Sequence, residues 1–181
     1  MILILGGAKS GKTAYAENAA AELALKNNGR VIYLASAQAW DDEMKLRIKR
    51  HRESRPENWI TLEETLSVPE KILEFQAKKG DVILFDCLTL WLTNLLMELG
   101  DDFKQIEAEE LISRRVSDFI KALDDFPGEI IVVSNLVEQG LVSPNFLGRI
   151  FQELCGRSHQ TLAASASEVY HVIAGLAQRL K

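Results

Sequence analysis

Residues 6–13 read GGAKSGKT and stand between an apolar run, ILIL (2–5), and an alanine-rich stretch, AYAENAAAELALK (14–26). The spacing is G-x-x-x-x-G-K-[ST], with Gly6, Gly11, Lys12 and Thr13 in the fixed positions. No other feature of the chain limits its fold so tightly. The motif requires a buried strand that stops at Leu5, a loop that curls at once, and a helix directly after it. Glycine tolerates the backbone angles of such a loop. The N–H groups of Gly6, Gly7, Ala8, Lys9, Ser10, Gly11, Lys12 and Thr13 can then surround phosphate oxygens at a helix N-terminus. Lys12 is expected to reach the β- and γ-phosphates, and the Thr13 hydroxyl to ligate Mg2+. A plain glycine-rich turn would explain the glycines but not the lysine and threonine behind them.

Further apolar runs follow at VIYLA (31–35), VILF (82–85), IIVVS (130–134) and VYHVIA (169–174). They are apolar throughout and rich in β-branched residues, as strands buried on both faces are. Helical patterns lie between them. LISRRVSDFIKAL puts Leu111, Ile112, Val116, Phe119, Ile120 and Leu123 on one stripe. Pro56, Pro127 and Pro144 punctuate the chain, and Gly80 and Gly128 precede strands. Strands alternating with helices imply right-handed crossovers. The expected fold is α/β and P-loop NTPase-like, a mainly parallel sheet with helices on both faces, with residues 1–181 forming one domain.

At 181 residues and 47% hydrophobic content the chain can build a substantial core. Its net charge of −5 argues against a general nucleic-acid binder. Cys87 and Cys155 form no spaced framework, which fits a reducing compartment. MILILGG is too short an apolar run for a signal peptide, and no run approaches the ~20 residues of a membrane span. The expectation is a soluble, cytoplasmic protein.

A P-loop needs a second oxygen ligand for its metal. Asp86, at the end of VILFD, stands where such aspartates do, although it could equally cap the helix suggested by CLTLWLTNLL. A guanine-reading N-K-x-D run of the kind found in Ras-like GTPases does not occur. The acidic chain does carry one dense cationic stretch, RIKRHRESRPENW (47–59), in which Arg47, Lys49, Arg50, Arg52 and Arg55 surround His51. AWDDEMKLRIKRHRESRP reads as a helix capped by Asp41, with a Glu43–Arg47 pair and a stop at Pro56. Met44, Ile48, His51 and Arg55 share one face, Arg47 lying at its edge. Nearby cations favour the neutral imidazole that a nucleophile requires, and arginines can hold phosphate oxygens bidentately. A phosphoramidate on His51 is therefore one reading; a general base or a simple phosphate contact are the others.

The ordered set GGAKSGKT, DDEMKLRIKRHRESRPENW, DCLTLWLTNLL, SN with Gly140 beyond it, and GRSHQTLAASASEV resembles the bifunctional adenosylcobinamide kinase and adenosylcobinamide-phosphate guanylyltransferase family of cobalamin synthesis. The resemblance runs nearly end to end. It implies phosphorylation of cobinamide's aminopropanol hydroxyl by ATP or GTP, then transfer of GMP from GTP to that phosphate through a guanylylated His51. It implies a guanine-nucleotide site of Ser36, Arg52, Glu53, Ser54, Arg55, Glu63 and Asp86, with Lys12 and His51 catalytic and Thr13 and Asp86 holding Mg2+. Glu63 suits guanine, because a carboxylate accepts from the base's N–H donors. A homo-oligomer is also implied, a trimer being one form it could take.

One region departs from the family pattern. Leu136 stands for a carboxylate, Glu138 for a glycine, His159 for the asparagine of an N-Q pair, and Ser167 for an aspartate. These changes leave room for a nucleotide-binding regulator without turnover, or for a kinase of another small alcohol. They also raise the question of whether Glu138 replaces the carboxylate missing at position 136.

Overall fold

The computed structural model describes residues 1–39, 41–53, 55–100 and 102–181, with Arg47 described by its backbone alone. Seven strands form one sheet: β1 (Ile2–Gly6), β2 (Val31–Ala35), β3 (Ile60–Glu63), β4 (Val82–Asp86), β5 (Glu129–Asn135), β6 (Glu168–Ile173) and β7 (Leu176–Arg179). Their order is β3-β2-β4-β5-β1-β6-β7, parallel except for the antiparallel β6–β7 pair. The helices are α1 (Lys12–Asn27), α2 (Asp42–Glu53), α3 (Val68–Glu74), α4 (Leu88–Met97), α5 (Gln105–Asp125) and α6 (Phe146–Ser165), with a 3-10 turn at Val137–Gln139.

Period-two alternation divides each central strand between two cores. Ile4, Tyr33, Leu84, Ile131 and Val133 face α1, which meets them with Ala16, Ala20 and Ala24. Methyl side chains at this four-residue spacing let the helix lie close on the sheet. Leu3, Leu5, Ile32, Leu34, Ile83 and Phe85 face the opposite way, under α3 to α6. There Phe85, Trp91 and Phe119 pack with ring centres 5.2 to 6.2 Å apart, and the buried Trp91 indole donates to Leu66 O at 2.8 Å. The sequence-predicted stripe of α5 lies on this core through Ile112, Val116 and Phe119, with Leu111, Ile120 and Leu123 partly buried beside them.

Two strands escape a reading by apolar runs. β3 is a four-residue edge strand with only Ile60 and Leu62 apolar, and β7 is exposed throughout. β7 returns along β6 through a two-residue turn at Ala174 and Gly175, whose φ values are +50° and +82°. Positive φ at both positions matches the right-handed twist of a tight hairpin.

At the end of the sheet opposite the P-loop, just before β4, Asp81 is 1% exposed and ties three segments together. Its Oδ1 accepts from Arg30 N and Nε, and its Oδ2 from Arg30 Nη2 and Lys78 N, while its carbonyl accepts from Glu129 N. The Arg30 guanidinium, aided by the Lys78 and Arg30 backbone N–H groups, pulls the carboxyl from 3.8 down to about 2. A depressed folded-state value adds stability that is present above the unfolded pKa and disappears as the pH falls through about 2. Asp81→Ala is therefore expected to cost about 2–3 kcal/mol in urea unfolding at pH 7, since it strands charge-assisted bonds. The deficit should shrink on acidification toward pH 2, where the wild-type carboxylate is itself being protonated.

Candidate nucleotide site

The phosphate loop joins β1 to α1 and carries two backbone demands. Gly11, the residue before α1, has φ +93°, and a Cβ there would lie 3.0 Å from Gly175 Cα. A Cβ on Gly6 would lie 2.7 Å from Val172 O and 2.5 Å from Ser10 Oγ. Both positions therefore need glycine for space, and Gly11 for its angle as well. Gly11 at the N-cap makes no side-chain cap bond, and a helix N-terminus of this kind favours an anion. Gly7, Ala8 and Lys9 form the exposed turn of the loop, and Ser10 N donates to Gly7 O at 3.2 Å. The buried Ser10 hydroxyl has no partner among the described residues. Lys12 is 8% exposed and its Nζ donates to Gly7 O at 3.0 Å.

A cleft of about 560 Å³ opens beside this loop. Lys12 and Thr13 reach it from α1, and Asp86 from the end of β4. Met44, Ile48, His51, Arg52 and Arg55 reach it from α2 and the residues just past it, and Glu63 from the end of β3. The face deduced from helical spacing is thus the face turned to the cleft. Asp41 caps α2 as expected, its Oδ1 accepting from Met44 N at 2.7 Å. The Glu43–Arg47 pair and Ser54 lie outside the described side chains.

Three of the residues singled out in the sequence have partners within the protein or lie off the cleft lining. Ser36 is fully buried, and its hydroxyl donates to Cys87 O (2.7 Å) and accepts from Cys87 N (3.0 Å). It fastens β2 to the start of α4. Glu53 is not among the residues lining the cleft, and its Oε1 lies 3.8 Å from Lys49 Nζ, one helical turn back. Asp86 does not cap α4: the N-cap is Cys87, and no side chain bonds there. The Asp86 carboxylate instead accepts from the Tyr33 hydroxyl at 2.5 Å.

Glu63 Oε1 is 3.6 Å from Arg52 Nη1, and both side chains are more than half exposed. Such a pair contributes little to stability and exchanges easily for a ligand. Thr13 and Asp86 offer oxygen atoms only, and no group of three or more His, Cys, Asp or Glu side chains collects into a cage among the described residues. That suits Mg2+, which takes one or two protein oxygens and leaves its other positions to phosphates and water.

Two neighbours of Asp86 carry no motif. Glu17 is one turn beyond Thr13 on α1, and burial, then the Asp86 charge, raise its carboxyl pKa while Arg55 opposes them. Tyr33 is 2% exposed, and burial and Asp86 push its phenol strongly upward, keeping it a hydrogen-bond donor. The Thr13–Glu17 spacing could have signalled the first. Nothing in VIYLA marked the second.

The altered region after β5 lies beside the P-loop, since Leu136 N donates to Gly6 O at 3.2 Å. The Leu136 side chain packs on the helix-covered core. Glu138 is absent from the cleft lining, and its Oε1 lies 2.7 Å from His159 Nδ1. His159 Nε2 in turn lies 2.7 Å from Ser134 Oγ. The atom order resembles that of an acyl-transfer triad, yet Ser134 is fully buried and absent from the cleft lining. Two of the residues that depart from the family pattern are therefore partners of each other.

The model for cobinamide kinase / cobinamide phosphate guanyltransferase matches residues 2–180. The chain belongs to this family. It is 43% identical to the bifunctional adenosylcobalamin biosynthesis protein CobP of Pseudomonas aeruginosa, over 99% of this chain and 96% of that one. It is 35% identical to the bifunctional protein CobU of Escherichia coli, over 100% and 99% of the two chains. In three dimensions the fold is similar to the flagellar accessory protein FlaH of Methanocaldococcus jannaschii, with TM-score 0.53 and 16% identity over 99% of this chain and 77% of that one. This last likeness concerns the fold alone.

Within the family pattern, Glu138 and His159 should be energetically linked. Glu138→Gly and His159→Asn are each expected to lower stability by about 1–3 kcal/mol, because each strands a buried polar partner. The double variant, which removes both members of the pair, should lose at least about 0.5 kcal/mol less than the sum of the two. Urea unfolding of the four proteins measures this, and strict additivity would remove the link.

Proposed function

We propose that this chain phosphorylates adenosylcobinamide with a nucleoside triphosphate and then transfers GMP from GTP to adenosylcobinamide phosphate through a guanylyl-histidine. The observation that carries the reading is that Lys12 and Thr13 of the P-loop share one cleft with His51, Arg52 and Arg55. A kinase alone would need the first pair and not a histidine set among arginines.

In the guanylyl step a lone pair on the His51 imidazole attacks the α-phosphorus of GTP. The new N–P bond forms as the bond to the β-phosphate oxygen breaks, and pyrophosphate leaves with that electron pair. Lys12, Arg52 and Arg55 are the cations available to hold the phosphates and offset charge on the leaving group. Glu63, one loose ion pair away from freedom, is the acceptor offered to guanine. An oxygen of the corrinoid phosphate then attacks the same phosphorus, the N–P bond breaks, and imidazole recovers its pair. Bound Mg2+, held by Thr13 and Asp86, would neutralise phosphate charge. In the kinase step Lys12 and the loop N–H groups hold the triphosphate while the aminopropanol oxygen bonds its γ-phosphorus and gives up its proton. The bond to the bridging oxygen breaks, and the nucleoside diphosphate leaves with that electron pair. The Glu138–His159 contact disfavours Glu138 as the base for that hydroxyl.

The test follows a label. The protein is incubated with Mg2+ and GTP labelled at the α-phosphorus, freed of nucleotide, and given adenosylcobinamide phosphate. Label should first stay with the protein and then move to the corrinoid. Label that never joins the protein or never leaves it, or equal labelling of the protein by GTP marked at the γ-phosphorus instead, rules the reading out.

A further inference from the structure

Asp86 and Arg55 reach the cleft from separate segments, the first at the end of β4 and the second past the end of α2. One side chain touches both. The Tyr33 hydroxyl donates to Asp86 Oδ2 at 2.5 Å, and the Arg55 guanidinium carbon lies 3.6 Å from the centre of the Tyr33 ring. Strand register explains the arrangement. Ala35 pairs with Asp86 across β2 and β4, and Tyr33 pairs with Leu84, so Tyr33 and Asp86 are diagonal neighbours on one face. Tyr33 also pairs with Thr61 of β3, and Arg55 Nη1 approaches Thr61 Oγ1 at 3.5 Å. Trp59 stacks with the tyrosine ring at 6.4 Å, which holds the ring in place.

We propose that Tyr33 is a positioning residue that orients Asp86 toward a divalent cation and seats Arg55 toward the nucleotide's phosphates, so that one ring aligns two parts of the cleft. The proposal rests on the roles given above to Asp86 and Arg55. A bond to one carboxylate oxygen stops the group rotating while the other oxygen remains for a ligand. Such supporting bonds typically change metal affinity by about 10–100-fold. A guanidinium lying on an aromatic face keeps its N–H edge for phosphate oxygens while losing rotational freedom. Arg55 Nε is buried and has no partner among the described residues, so the seated group still has a donor to offer.

Binding of a non-hydrolysable GTP analogue to the full chain, titrated with Mg2+, separates the two functions. Tyr33→Phe keeps the ring and removes the hydroxyl. It should raise the half-saturating Mg2+ concentration about tenfold or more, with affinity at saturating Mg2+ near wild type. Tyr33→Leu should show the same Mg2+ shift and also weaker binding at saturation. Arg55→Lys keeps the charge without the planar stack, so it should weaken binding at saturation with an unchanged Mg2+ midpoint, and it serves if the leucine variant does not fold. A wild-type Mg2+ midpoint in Tyr33→Phe overturns the proposal. So does wild-type binding by Arg55→Lys, or equal binding at saturation by the phenylalanine and leucine variants. A wild type that binds the analogue with Mg2+ but forms no protein adduct from GTP refutes the guanylyl reading and leaves this test readable. Loss of Mg2+-dependent binding in the wild type refutes both.

Discussion

His51→Asn should fold, bind GTP, and take up no label from GTP marked at the α-phosphorus. Asparagine is close in size and polar, and His51 lies on the cleft face of α2, so no apolar core packing is lost. What disappears is the nucleophile. Deleting a nucleophile in an enzyme that works through a covalent intermediate costs on the order of 10⁴-fold or more. Guanylyl transfer to the corrinoid phosphate should fall by at least that much. The kinase step, which needs no covalent histidine, should persist. Bond type gives an independent check, because a phosphoramidate hydrolyses in acid and survives alkali, whereas an acyl phosphate is labile in alkali. Label that remains on the asparagine variant would show that another side chain is the acceptor.

Lys12→Ala should weaken nucleotide triphosphate binding by about 10–100-fold, the equivalent of one strong charge-assisted bond. The same change should remove both transferase activities, since both start from a triphosphate held by this loop. Stability should change little. Lys12 is a buried cation whose Nζ reaches the Gly7 carbonyl, and alanine removes the burial cost together with that bond. Calorimetric titration of a variant with native circular dichroism is the direct measurement. Wild-type affinity for GTP in that protein would remove the P-loop from the site.

The parts of this protein that could be read from its sequence are those written within one segment. The phosphate loop is local, and so is the face of α2 that turns Met44, Ile48, His51 and Arg55 inward. Buried strands betray themselves by unbroken apolar runs, which is why β1, β2, β4, β5 and β6 stood out and the thin edge strands β3 and β7 did not. Register was the hidden variable. It makes Tyr33 a neighbour of Asp86, although in VIYLA it looks like any core aromatic. It also buries Ser36 against Cys87, a contact that no motif marks. Glu138 and His159 each looked like an isolated loss, because a contact between a 3-10 turn and the middle of α6 leaves no local trace.

The place of β1 in the sheet has a consequence for how the chain is made. Its neighbours are β5 and β6, so the motif at residues 6–13 has no strand on either side until residues 129–173 exist. Gly175 N, in the β6–β7 turn, donates to Ser10 O at 2.8 Å and braces the loop from below. During synthesis the phosphate motif emerges long before the β5, β6 and hairpin residues that brace it, which come from the last third of these 181 residues. A nucleotide that needs the braced loop is therefore expected to bind late in folding. GTP binding should then report on assembly of the last strands, the loop having few neighbours before they arrive.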